Sequence, residues 1–136
     1  MKTIKPFLVA IVFVVLLFAC NTSNYPAATT ALEGGREFID ACLKGDFKKA
    51  AFYMIDDSVN NKDLLKIKRD YDFKPADDKH NYAGASIIIN SDETINDSTH
   101  IINYANSYDK MARKVKVIKR NEKWLVDFKY TFDGNL

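Results

Sequence analysis

Cys20 has the most constrained setting of any residue here that could do chemistry. It follows Leu17-Phe18-Ala19 at the end of an unbroken apolar run from Phe7, with Lys2 and Lys5 ahead of it. A basic start, an apolar segment and a small residue are the order of a secretory leader, and the run is well short of the ~20 apolar residues that a membrane-spanning helix needs. Asp40, Tyr53, Tyr71, Tyr104 and Asp127 are types that could supply a general base and a hydroxyl donor, but spacing selects no pair among them. His80 lies in Asp77-Asp78-Lys79-His80, which offers oxygen and imidazole ligands, yet His100 is far along the chain, so a solvated loop is expected and no metal. The acidic stretch Asn90 to Asp97 lacks the mid-loop glycine and closing glutamate of an EF-hand. Nucleophile elbow, phosphate loop and paired-histidine zinc helix are all missing from the sequence, which removes the usual support for hydrolase, kinase and zinc-protease chemistry. No cofactor is expected.

Leu17-Phe18-Ala19-Cys20 closely resembles the lipobox of bacterial lipoproteins. The resemblance implies cleavage before Cys20 and a diacylated Cys20 as the mature N-terminus. Residues 1–19 are then a signal peptide, 20–29 a lipidated cysteine with a flexible tether, and 30–136 a single domain. Asn21 to Thr29 is small and polar with one proline, as a spacer should be, and has no acidic run. The expected location is the cell envelope, lipid-anchored in the outer membrane and facing the periplasm. Lys2 and Lys5 leave with the leader; they account for the excess of 20 basic over 18 acidic residues, so the mature chain is formally neutral. That balance and a secreted address both argue against nucleic acid as a partner. With Cys20 lipidated, Cys42 has no disulfide partner in the chain and reads as a buried structural thiol between Ala41 and Leu43.

The elements that must position these groups are legible as helices followed by strands. Thr30-Ala31-Leu32-Glu33 reads as a capping box, and the helix it opens buries Leu32, Phe38, Ile39, Cys42 and Leu43 before Gly45 stops it. Asp46 caps a second helix to about Met54, and Asn60 to Asp63 starts a third that runs to about Asp70. Pro75 to Tyr82 reads as an exposed connection. Strands are expected at Ala83–Ile89, Ser98–Tyr108 and Met111–Arg120, with Asn90 to Glu93 as a turn. Trp124, Val126, Phe128, Tyr130 and Phe132 alternate as one apolar face of a last strand after the turn Asn121-Glu122-Lys123. The basic side chains between Lys110 and Lys123 read as solvated outer strand positions.

The expected fold is therefore α+β, N-terminal helices packed on one face of a curved antiparallel sheet. Leu43-Lys44-Gly45-Asp46-Phe47-Lys48-Lys49-Ala50 and the closing Val115 to Val126 resemble the nuclear transport factor two-like cone, in particular the small secreted domains once labelled putative lumazine-binding. The chain departs from that pattern in having Asn121-Glu122-Lys123 where a glycine before the tryptophan is common. The resemblance implies a pocket between helices and sheet, for which Phe38, Tyr53, Tyr104, Trp124 and Phe128 are the candidate lining. The expected role is a non-catalytic module holding a small apolar ligand or a periplasmic protein. The alternatives are an isomerase- or dehydratase-type enzyme with an Asp/Tyr pair, and a structural or protective protein that homodimerises through its sheet.

Overall fold

The computed structural model describes residues 24–133, so Cys20 and the leader lie outside the described residues. Four helices, α1 (Ala31–Lys44), α2 (Phe47–Phe52), α3 (Ser58–Asp72) and α4 (Ala76–Ala83), precede four strands, β1 (Ile87–Asn96), β2 (Thr99–Asn106), β3 (Arg113–Arg120) and β4 (Lys123–Asp127), and a 3₁₀ segment, Phe128–Phe132. The strands form one antiparallel sheet in the order β1-β2-β3-β4. Helices on a sheet make the architecture α+β.

Local chemistry sets the ends of α1. The Thr30 hydroxyl accepts from Glu33 N at 3.1 Å, while the Glu33 carboxylate reaches Thr29, one residue before the expected partner, at 2.7 Å to N and 2.9 Å to Oγ1. At the other end Gly45 takes φ 72°, where its N–H meets Cys42 O and Asp46 N–H meets Ala41 O, a Schellman closure that a side chain would strain. Asp46 then caps α2 through Lys49 N. The buried side of α1, with Phe38 and Ile39, lies on Ile102, Val115, Val117 and Val126 of the sheet, all 2% exposed or less. Gly34 is what allows the approach: a Cβ there would stand 2.7 Å from the Trp124 carbonyl oxygen, which β4 cannot move aside.

Four boundaries differ from expectation, each for a local reason. Pro75 ends α3 but opens α4, where Asp77 and Asp78 favour the first turn, so residues 76–83 are helical rather than a connection. The helix reads as polar because none of its residues is buried. α3 itself starts earlier than Asn60, capped by Asp57 through Asn60 N at 2.8 Å. β1 runs straight through Asn90 to Glu93, whose polarity reflects an exposed edge strand; register shifts between Ile89 and Ser91 and between Thr94 and Asn96 interrupt its pairing, and the reversal falls at Asp97-Ser98. β4 stops at Asp127, because Thr131 Oγ1 donates to Lys114 O and Phe128 turns its ring onto Phe38 instead of continuing the ladder.

Both edges of the β3–β4 region are managed. Asn121 and Glu122 are left-handed, at φ 49° and 61°, which makes the hairpin a two-residue turn of the primed type; Asn tolerates that conformation and Glu does so at a cost of about 1 kcal/mol. On the free side of β4, Ile55 N donates to Val126 O and Val126 N to Tyr53 O, so residues 53–55 cover the edge. Residues 25–29 also depart from the spacer expected of them. Tyr25 packs on Phe52 and Tyr53, Ala28 is 2% exposed, and the Tyr53 hydroxyl donates to Pro26 O at 2.7 Å. Tyr25 pins that part of the chain to the end of α2, and Ala28 joins the core.

Candidate functional site

Between α1, α3, the sheet and the 3₁₀ segment lies an open-sided cavity of about 290 Å³. Phe38 and Leu43 of α1, Ile67 of α3, Tyr104 of β2 and Phe128 and Phe132 of the 3₁₀ segment contribute to its apolar wall. The break of β4 at Asp127 creates this wall, since it swings Phe128 inward at 4.9 Å from the Phe38 ring centre and sets Phe132 behind it at 5.0 Å. Phe132 is 40% exposed and stands at the mouth with Asp70 and Lys74.

Three of the five expected lining residues, Phe38, Tyr104 and Phe128, meet here. Tyr53 and Trp124 do not. Tyr53 is 2% exposed and spends its hydroxyl on Pro26 O, holding the N-terminal segment. Trp124 lies under the start of α1, beside Gly34, with His100 edge-on to its ring at 5.3 Å. Sequence reasoning missed Ile67, Phe132, Arg113 and Cys42 as lining. Ile67 sits on the apolar side of α3 and Cys42 one turn beyond Phe38, so helical spacing could have found both. The position of Phe132 could not be read, because the alternation from Trp124 onward fits a strand as well.

The polar end of the cavity is built around Asp109. Its carboxylate accepts from Arg113 in a two-pronged pair at 3.1 and 2.7 Å, from Asn106 Nδ2 at 2.9 Å, from Met111 N at 3.0 Å and from the Tyr82 hydroxyl at 3.2 Å. Burial alone would raise its pKa, but the Arg113 bonds, with those from Met111 and Asn106, outweigh it and hold the carboxyl well below the usual range. Arg113 is thereby neutralised, so the end it occupies carries little net charge. Burial pushes the Cys42 thiol up to about 12 and raises the Tyr104 phenol as well, keeping both groups uncharged at neutral pH.

The Asp109 arrangement gives a pH prediction. Its folded pKa is depressed, so its stabilisation is complete above the unfolded carboxylate value near 4 and fades as pH falls below it. Asp109→Asn should lower the melting temperature at pH 7, and the gap from wild type should shrink as pH is lowered from 4 toward 2, which melting curves across that range will show.

The groups that could have formed an acid–base set are scattered. Asp40 pairs with Lys44 and Lys49 on the outer side of α1. Asp127 pairs with Lys129 at 2.8 Å and accepts from Asn60. Tyr71 edges the cavity with its hydroxyl 3.4 Å from Lys44 O. His80 is exposed on α4, and His100 bonds Asp92 across β1 and β2 at 2.8 Å. Among the described residues no three His, Cys, Asp or Glu side chains gather as a metal site, and no helix is long and apolar enough to cross a membrane. Comparison with known proteins gave no match, whether to family models, curated sequences or solved structures.

Proposed function

We propose that this chain is a lipid-anchored module of the bacterial envelope, facing the periplasm from the outer membrane, whose cavity holds a small apolar molecule without transforming it. The observation that carries the reading is the cavity. A pocket walled by Phe38, Leu43, Ile67, Phe128 and Phe132 rewards apolar occupants, and at about 290 Å³ it lies at the lower end of ligand-sized pockets, which run from ~300 Å³ upward. The non-catalytic part rests on the placement of the acids. Asp109, which acts electrostatically on Tyr104, is locked as an anion by Arg113 and is too weak a base to accept a proton from carbon, and Asp70 stands at the exposed mouth. The anchor rests on the Leu17-Phe18-Ala19-Cys20 pattern.

Filling the cavity tests the binding reading. Leu43 is half-buried and lines the wall, so Leu43→Trp places an indole in the space a ligand would take. Prodan, a neutral dimethylaminonaphthalene bearing one ketone, should bind the wild type saturably with a blue-shifted emission. The Leu43→Trp protein, shown to be folded by circular dichroism, should give no shift. Equal binding by both would place the probe elsewhere and remove this reading.

A further inference from the structure

Among the described residues that line the cavity, Tyr104 carries the one hydroxyl with no hydrogen-bond partner. Its side chain is 8% exposed, on the inner side of β2 opposite Arg113 of β3. Of the other polar side chains lining the cavity, Asn106 is committed to Asp109 and to Tyr108 N, Thr131 to Lys114 O, Tyr82 and Arg113 to Asp109 and Tyr71 to Lys44 O, while Asp70 and Lys74 stand at the mouth. No hydrogen bond is made by the Tyr104 hydroxyl among the described residues. Yet no fully enclosed side-chain oxygen or nitrogen among them lacks a partner. The hydroxyl must therefore open onto the cavity that Tyr104 lines. A phenol open to the cavity can be satisfied by water, and a ligand oxygen can take that water's place.

We propose that the Tyr104 hydroxyl is the polar contact of the binding site, donating to a single acceptor oxygen on an otherwise apolar, uncharged ligand. This rests on the reading of the cavity as a binding site and names the class of molecule it takes. The donor role follows from the phenol staying protonated in its buried setting. At depth the absence of charge follows from Arg113, whose guanidinium is matched by Asp109; Lys74, over the Tyr82 ring, stands at the mouth with Asp70. A carboxylate at depth would add an unpaired anion beside Asp109, whereas a ketone, ester or ether oxygen adds none. The acceptor would sit between β2 and Cys42, with the apolar body against Phe38 and Phe128.

The test pairs two probes with one variant. Prodan and its analogue in which the ketone is replaced by a methylene are titrated against wild type and Tyr104→Phe, which removes the hydroxyl and nothing else. Wild type should prefer prodan, and Tyr104→Phe should weaken prodan about tenfold while leaving the methylene analogue unchanged. If both probes bind both proteins alike, and Leu43→Trp still abolishes binding, the cavity binds but Tyr104 is not its polar contact. If neither probe binds the wild type, the cavity reading falls as well. A parallel titration with the corresponding naphthalene carboxylate should show binding at least tenfold weaker than prodan; tighter binding would overturn the uncharged class.

Discussion

Replacing Cys20 by serine is expected to abolish incorporation of labelled palmitate while leaving the fold intact. A serine hydroxyl cannot form the thioether that carries the diacylglyceryl group, and each lost CH₂ removes about 0.8 kcal/mol of membrane affinity, so the effect on the anchor is all or none. The fold has no stake in the change: the core around Phe38, Ile102, Val115 and Val126 is assembled from residues 24–133. Far-UV circular dichroism and melting should therefore match the wild type. Equal incorporation in the two proteins, or none in the wild type, would contradict the lipid anchor and with it the envelope location.

Asn60→Leu should have the largest effect on stability. Asn60 is 0% exposed and joins three elements: Nδ2 donates to Asp57 and Asp127, each at 3.1 Å, and Oδ1 accepts from Lys129 N at 2.7 Å. Leucine has nearly the same shape but strands the Lys129 N–H and removes one donor from the buried Asp127 carboxylate. The stranded N–H costs ~1–3 kcal/mol and the bond lost from Asp127, which keeps Lys129, about 1 kcal/mol more, together about 3 kcal/mol of the ~5–15 kcal/mol that holds a domain together. The neighbouring Asn61→Leu is the control, since its side chain is exposed and bonds only Asp56 at the surface. Urea unfolding of both variants decides it. A loss below 1 kcal/mol for Asn60→Leu would mean that the junction of α3 with the end of β4 is not held as described.

That junction also marks how far the sequence could be read. The capping residues Thr30 and Asp46, the stop at Gly45 and the apolar alternation of β3 are local signals, and the α+β order of helices before strands follows from them. Phe38, Tyr104 and Phe128 are aromatic candidates that do line the cavity, but Tyr53 and Trp124 are as deeply buried, so aromatic type and burial do not separate lining from core. The failures share a cause: tertiary partners overrode local pattern. Phe128 to Phe132 alternates like a strand, yet Asn60 captures Lys129 N and Thr131 takes Lys114 O, turning the segment into a 3₁₀ wall. Asp77 to His80 is polar like a loop, yet Tyr82 at the end of α4 is fixed by Asp109 and by Tyr108. Trp124 is large and aromatic like the residues that line the cavity, but Gly34 brings α1 down on it and closes the space. Nothing in spacing announces that, of the described hydroxyls lining the cavity, the one on Tyr104 has no partner; that follows only from where the competing donors are spent.

The most direct measurement of the central claim is native mass spectrometry of the full chain extracted in mild detergent from the cells that make it. The wild type should carry an additional small molecule in stoichiometric amount, uncharged and mostly apolar, which the Leu43→Trp protein lacks. Wild type that emerges without any bound molecule, or with the same one as Leu43→Trp, would contradict a ligand held in the cavity between α1, β2 and the 3₁₀ segment.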